Sequence, residues 1–291
     1  IIILTGGSGF LGQQIVKAFT STKSKIIILD IKKPKNNKAN FYKCNVTKEQ
    51  EVLAVSKKIL KKFKKIDVLI NNAAFVGDEK LDGWNTKFEN QSIESWRKAI
   101  EVNLTAIFEL VKVSKKLFNV KNSTSSIINI SSIYGNIGPN YNLYKNTPIN
   151  NPAAYAVSKS GLNQLTRWLA STLAPSIRVN AVAIGGIKRN QPLNFINKYE
   201  QLTPLRRMAK EDDVLGILLL LSSDYSNYIT GQTITVDGGF SIIWILKKKI
   251  LFYCKKQTAG SKVCIFDMYK KFKDLNFYTF LNKEDFDSYD F

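Results

Sequence analysis

Ile1-Ile2-Ile3-Leu4-Thr5-Gly6-Gly7-Ser8-Gly9-Phe10-Leu11-Gly12 opens the chain. A β-branched run comes first and a glycine-rich turn follows. Leu11–Phe19 then carries apolar residues at three- and four-residue spacing. A strand, a turn and a helix in that order form the context in which a glycine motif gains meaning. Gly6 permits the tight turn, Gly9 lets backbone approach a pyrophosphate, and Gly12 allows the helix to pack closely on the sheet. The helix N-terminus favours the negative charge. Gly6, Ser8, Gly9, Phe10, Leu11 and Gly12 are therefore candidate dinucleotide-binding residues.

Working outward, the next apolar run, Ile26-Ile27-Ile28-Leu29, ends in Asp30, eighteen residues beyond Gly12. A carboxylate there accepts hydrogen bonds from the adenosine ribose and repels a 2′-phosphate, which favours NAD over NADP. Lys32 and Lys33 pull the other way. Further strand-like runs are Val68–Asn71, Ser126–Ser131, Ile177–Ala183 and Thr233–Val236, with helical patterns such as Gln50–Phe63 between them. This alternation predicts an α/β fold, a Rossmann-type doubly wound parallel sheet with helices on both faces. Ligands of such sheets bind beyond the carboxyl ends of the strands. The expected organisation is one domain over residues 1–240 and a basic tail over 241–291, which holds ten lysines, six acids and no recognisable motif.

Composition narrows the chemistry. The chain of 291 residues contains no histidine, which excludes Ser-His-Asp triads and HExxH zinc sites. Acid/base work must fall to Tyr, Lys, Asp, Glu or Cys, and no metal site is expected. Cys44, Cys254 and Cys264 form no CxxC pair; reduced thiols in a cytoplasmic protein are the reading they favour. No signal peptide is evident, and no apolar run reaches the roughly 18 residues of a membrane span. The net charge of +20 is spread along the whole chain. Specific nucleic-acid binding is not expected from it, whereas attraction of an anionic substrate is a reasonable use of the field.

Tyr155-Ala156-Val157-Ser158-Lys159 begins an amphipathic pattern running from Tyr155 to Leu173. Spacing of four puts phenol and ammonium on one helical face, one turn apart. A neighbouring ammonium stabilises phenolate, so Lys159 is expected to lower the pKa of Tyr155 toward a useful acid/base range. Upstream, Ile127-Ile128-Asn129-Ile130-Ser131-Ser132 ends a strand in two hydroxyls at the same sheet edge. Asn71-Asn72-Ala73-Ala74 ends another, and Glu101-Val102-Asn103 lies in a helical pattern.

With these motifs in order over about residues 1–240, the sequence resembles the short-chain dehydrogenase/reductase family in its single-domain form. The resemblance implies a catalytic tetrad of Asn103, Ser132, Tyr155 and Lys159. Tyr155 would exchange the proton, and Ser132, rather than Ser131, would orient the substrate oxygen. Lys159 would lower the tyrosine pKa and hold the nicotinamide ribose, and Asn103 would anchor a water in a proton relay. It also implies cofactor contacts from Asn45, Val46, Asn72, Ala73, Ala74 and Ile187, together with Tyr155 and Lys159. Ile177–Val182 and Tyr228–Gly239 match as scaffold.

The chain departs from the family in places. Phe10 stands where a middle glycine is usual. Asn45 replaces the aspartate that meets adenine, with a side-chain oxygen still able to accept from the adenine amino group. Ile184-Gly185 replaces Pro-Gly, and the threonine usual near the nicotinamide amide is absent from Ile187-Lys188-Arg189-Asn190.

The long segment Ile133–Ala154 carries Asn136, Asn140, Tyr141, Asn142, Tyr144, Lys145 and Asn146, and a second loop, Gly77–Asn90, carries Trp84 and Lys87. Both are expected to overhang the active site. Polar and aromatic walls suit a sugar-like substrate, and Ile133–Leu173 is similar to family members of bacterial surface-glycan and sialic-acid-like sugar biosynthesis. Lys145, Lys188 and Arg189 would meet a phosphate or nucleotide if the substrate carries one. The function expected is thus an NAD(H)-dependent oxidoreductase that interconverts an alcohol and a carbonyl on a polar small molecule. The rival within enzymes is a 3-oxoacyl-carrier-protein reductase using NADPH. A sugar epimerase or dehydratase fits less well, because the tail is small for a substrate domain. The rival of another class is a non-catalytic NAD-sensing protein. Family assembly further implies a homodimer or homotetramer through the helix bearing Tyr155 and the final strand.

Overall fold

The computed structural model describes residues 1–34, 39–77, 82–118 and 125–242. Residues Ile1–Ile243 make one compact unit. Beyond Ile242 the expected basic tail lies outside the described residues, as do residues 78–81 of the second loop.

Seven strands form one parallel sheet in the order β3-β2-β1-β4-β5-β6-β7. They are β1 (Ile2–Thr5), β2 (Ile26–Asp30), β3 (Asn40–Lys43), β4 (Val68–Asn71), β5 (Ser125–Ser132), β6 (Ile177–Ile184) and β7 (Thr233–Val236). The main helices are α1 (Phe10–Ser21), α2 (Glu49–Phe63), α3 (Ile93–Ile100), α4 (Ala106–Ser114), α5 (Ala153–Leu173), α6 (Leu193–Leu202) and α7 (Asp212–Leu221). Strand order reverses between β1 and β4, which opens a crevice at their carboxyl ends.

Strands β1, β2 and β4 read as unbroken apolar runs because both of their faces are covered. Alternate residues of one strand serve the two layers. Ile3, Ile27, Leu69 and Ile127 face a core shared with α2, α4 and α5. Ile2, Leu4, Ile28, Ile70 and Ile128 face one shared with α1 and α7. The doubly wound expectation is met.

One strand was not foreseen. Asn40–Lys43 is a four-residue edge strand whose side chains are half-buried or exposed, so it lacks the apolar run that marks the others. Glu101–Thr105, expected as ordinary helix, instead winds as a wider π-type turn between α3 and α4. That extra residue per turn lets Asn103 point into the protein, fully buried. Such turns recur at functional sites.

Candidate active site

The glycine turn, Asp30, Asn72 and Ser132 lie at the carboxyl ends of β1, β2, β4 and β5, Tyr155 and Lys159 on α5, and Asn103 in the turn between α3 and α4. The turn after β1 is bound by its neighbours. Gly6 has φ of +68°, where a side chain is strained. The Thr5 hydroxyl accepts from the backbone N–H groups of Asn72 and Ala73, each at 3.0 Å. Asn72 Nδ2 donates to the carbonyls of Thr5 and Gly6, also at 3.0 Å. Asn72 and Ala73 thus clamp this turn to β4.

The glycines divide by role. A Cβ on Gly12 would lie 2.2 Å from the Gly6 carbonyl oxygen, so close packing forbids it. A Cβ on Gly9 would meet only that same oxygen, at 3.4 Å, an ordinary contact. Packing alone does not require glycine there. The space outside Gly9 is open, and α1 begins with neither a side-chain cap nor an acidic residue in its first turn. Its first N–H groups are left for an anion. These residues fit the pyrophosphate of a dinucleotide.

At the end of β2, Asp30 Oδ2 accepts from Ser8 N–H at 2.9 Å and Oδ1 from Lys32 N–H at 3.0 Å. Each oxygen keeps a lone pair free for a ribose hydroxyl. Ser8 Oγ donates to the Lys32 carbonyl at 2.6 Å, so the side chains of Ser8 and Asp30 lock two strand ends together. Asn45 differs from expectation. Its Oδ1 already accepts from the Thr47 N–H at 3.1 Å and the Thr47 hydroxyl at 2.9 Å. Both lone pairs are in use, so the acceptor meant for adenine is occupied. Val46, next to it, is a partly buried neighbour of the core.

Ser132, Tyr155 and Lys159 converge where β5 ends against α5. The Ser132 hydroxyl lies close enough to the Tyr155 phenol to favour its charged form, and its Oγ accepts from Tyr134 N–H at 3.2 Å. Ser131 instead turns toward the Lys159 carbonyl, at 3.4 Å. Lys159 is 2% exposed; its Nζ donates to the Ile130 carbonyl at 2.8 Å and lies 5.8 Å from the Tyr155 ring centroid. Burial pulls the Lys159 pKa down to about 8. Burial also raises that of Tyr155, the nearby Ser132 hydroxyl lowers it, and Tyr144 raises it again, with a net upward shift. The expected lowering by Lys159 is therefore overturned in the protein by itself, because desolvation disfavours both charged forms.

Asn103 holds the loop after β4. Its Oδ1 accepts from Phe75 N–H at 2.7 Å, and its Nδ2 donates to the Phe75 carbonyl and to Ser158 Oγ, each at 3.1 Å. Ser158 Oγ in turn donates to the Tyr155 carbonyl at 2.8 Å. The Asn103 side chain is thereby tied to the helix that carries Tyr155.

Both long loops reach this centre. Trp84 packs edge-on to Tyr155, at 6.5 Å between centroids, and against Phe75 at 4.7 Å. Lys87 lies just before the turn Phe88–Asn90. Asn85 Oδ1 accepts from Asn150 N–H and Gln91 Oε1 from Ala153 N–H, which joins the two loops. From the other loop, Tyr134 and Tyr144 share a 2.8 Å hydroxyl contact, and Asn151 Nδ2 donates to Tyr144 Oη at 3.2 Å. Asn151 Oδ1 is buried without a partner among the described residues. Sequence reasoning missed Tyr134 and Asn151. Each lay inside the segment it singled out, yet only folding shows which hydroxyls face one another.

Other polar residues of that loop serve structure. Asn140 Oδ1 accepts from Asn142 N–H, and Asn136 Oδ1 accepts from Asn163 Nδ2. Lys198 of α6 donates to the carbonyls of Asn142 and Lys145. Among the residues proposed for a phosphate, Lys188 pairs with Glu200 at 3.0 Å, and Arg189 pairs with Glu211 at 3.0 Å while stacking on Phe10. Ile187 bridges to Ala209. Ala74 and Leu11 lie at the crevice edge, the former exposed and the latter buried. Among the described residues, no His/Cys/Asp/Glu group could hold a metal ion.

Comparison with known proteins agrees with this geometry. A family model described as enoyl-(acyl carrier protein) reductase matches residues 9–241. The post-translational flagellin modification protein A of Campylobacter coli is 32% identical, over 83% of this chain and 98% of that protein. A 3-oxoacyl-(acyl-carrier-protein) reductase of Thermotoga maritima is 31% identical, over 83% of this chain and 98% of its own length. The crystal structure of a short-chain dehydrogenase from Leptospira borgpetersenii with bound NAD+ superposes with a TM-score of 0.75 at 33% identity. It covers 82% of this chain and 92% of that one.

Proposed function

This chain belongs to the short-chain dehydrogenase/reductase family of NAD(P)-dependent oxidoreductases, and from that premise we propose that it uses NAD(H) to interconvert an alcohol and a carbonyl on a sugar-like substrate. The observation that carries the reading is the meeting of Ser132, Tyr155 and Lys159 at one sheet edge, beside a wall of hydroxyl and amide groups. When bound, the nicotinamide supplies or accepts the hydride. Ser132 donates to the substrate oxygen and fixes it opposite the Tyr155 hydroxyl. Tyr155 gives that oxygen a proton in reduction and takes one in oxidation. Lys159 would hold the nicotinamide ribose hydroxyls, and its ammonium favours phenolate.

Asn103 spends its side chain on Phe75 and Ser158, so it would position the Tyr155 helix rather than hold a relay water through its amide. The Gly6–Gly12 turn would hold the dinucleotide pyrophosphate, Asp30 would accept from the adenosine ribose, and Asn72, Ala73, Ala74 and Ile187 would line the nicotinamide end. Repulsion of a 2′-phosphate by Asp30 favours NAD.

Two features support a polyhydroxylated substrate. The Tyr134–Tyr144–Asn151 array joins hydroxyl and amide groups near Tyr155, and Asn151 Oδ1 has no partner among the described residues, which leaves the array one donor short. The similarity to the flagellin modification protein is consistent with a glycan precursor. In this reading residues 1–240 form the catalytic domain of a cytoplasmic homo-oligomer.

The Thermotoga maritima relative favours a second reading, an acyl-carrier-protein reductase using NADPH. Fluorescence titration with NADH and NADPH, repeated on Asp30→Ala, separates the two. Tight NADH binding that loses its preference in the variant is the expected result, followed by turnover of free or phosphorylated sugars. Preference for NADPH with turnover of 3-oxoacyl thioesters would replace the sugar reading by the acyl-carrier one.

A further inference from the structure

Arg189 lies in the loop after β6, and Phe10 is the first residue of α1 after β1. In the sheet, β4 and β5 stand between β1 and β6, a gap of about 14 Å at the usual strand spacing. Yet the Arg189 guanidinium sits 4.5 Å from the centroid of the Phe10 ring. The loop therefore arches over the carboxyl ends of β4 and β5, where Asn72, Ala73 and Ser132 lie, and touches down on the glycine turn.

The arch is braced from behind. Arg189 Nε and Nη2 both donate to Glu211 Oε1, at 3.2 and 3.0 Å, and its backbone N–H donates to Gln191 Oε1 at 2.6 Å. Gly186, Lys188 and Ala209 exchange backbone hydrogen bonds at 2.9 Å. This leaves the Nη1 edge with no hydrogen bond to the described residues.

The electrostatics are one-sided. The N-terminus of α1 is uncapped and carries no acidic residue, so it is a positive pole. The structure parks a guanidinium beside it, on a ring that is 69% exposed. Glu211 offsets the cation through the Nε and Nη2 edge. A cation held beside an uncapped helix N-terminus is favourable where an anion lies within reach of both.

We propose that Arg189 is a cofactor-binding residue that grips the dinucleotide pyrophosphate from the side opposite the α1 N-terminus, with Phe10 as its platform. Both departures from the family pattern then serve one purpose. The bulky residue in the glycine turn supports the cation, and the cation adds a pyrophosphate contact from a loop that lacks the threonine usual near the nicotinamide amide. The inference rests on the dinucleotide reading above.

The test is the affinity of NADH for the full chain as salt is varied between about 50 and 500 mM, spanning the range over which exposed charges become screened. Arg189→Gln is expected to weaken NADH about tenfold at low salt, the cost of losing a charge-assisted hydrogen bond, and to flatten the salt dependence so that the curves converge at high salt. Phe10→Leu, which keeps the cation and removes its platform, is expected to lose about threefold, the size of an exposed cation–π contact. Arg189→Lys should lie between wild type and Arg189→Gln. Equal affinity and equal salt slope in Arg189→Gln and wild type overturn the clamp alone. Failure of the wild type to bind NADH overturns the dinucleotide reading and the clamp with it. A thermal melt of each variant shows that loss of binding is not loss of fold.

Discussion

At Tyr155 and Lys159 burial has opposite chemical consequences in one helical turn. The phenol is pushed up and the ammonium pulled down to about 8, so the protein by itself keeps the pair nearer neutrality than isolated side chains would be. For Lys159 the folded pKa lies below the ordinary 10.5. Folding then carries the full cost of a buried cation below about pH 8 and is relieved of it as pH rises toward 10.5. Lys159→Met is expected to raise the melting temperature at pH 7, with a gain that shrinks across that window, while kcat collapses. A gain that is flat with pH would mean the ammonium is not the source of the strain. Tyr155→Phe is expected to cut kcat by about 10²- to 10⁴-fold, the worth of general acid/base catalysis, and to leave NADH binding within a few-fold. A non-catalytic NAD sensor would be indifferent to that change in every assay.

At the scale of the element, the β1–turn–α1 unit shows how three glycines of one motif differ. Gly12→Ala drives a methyl to 2.2 Å from the Gly6 carbonyl and should lower the melting temperature along with cofactor affinity. Gly9→Ala meets nothing closer than 3.4 Å; it should melt like wild type yet bind NADH more weakly, since its methyl fills the open face. If both variants melt normally, the packing account of Gly12 is wrong. The motif itself was legible because turn sterics are local. The strand Asn40–Lys43 was not, since an edge strand only half-covered needs no apolar run. The π-type turn at Glu101–Thr105 was equally hidden: its extra residue is set by the pull of Asn103 onto Phe75 and Ser158, which lie 28 and 55 residues away in sequence.

Across the whole molecule, two layers of helix enclose the sheet, but α4 and α5 leave large apolar side chains outside. Phe108, Val157 and Trp168 are 42%, 46% and 54% exposed. Val157 and Trp168 stand eleven residues apart on α5, three turns along one face. A second copy of the chain would cover such a face, as expected for a homodimer or homotetramer built through this helix. Trp168→Glu is therefore expected to shift the native mass toward monomer in light scattering, with cofactor binding retained. An unchanged mass distribution would place the assembly surface elsewhere. No helix among the described residues is long and apolar enough to cross a membrane.

By itself the sequence determined the layered α/β architecture, the glycine turn after the first strand, Asp30 at the end of the second, and Tyr155 and Lys159 four apart on one helix. Each is written in local terms: periodicity of apolar residues, glycine in a tight turn, a four-residue spacing on a helix. Only the tertiary structure decided what depends on desolvation and on partners distant in the chain. Burial reversed the expected sense of the Tyr155 pKa, and Thr47 occupied the Asn45 acceptor. Folding also brought Tyr134 and Tyr144 into hydroxyl contact beside Asn151, and carried Arg189 across two strands onto Phe10. Through-space energies fall with distance in the fold, and a linear pattern of residue types holds no record of that distance until the chain has closed on itself.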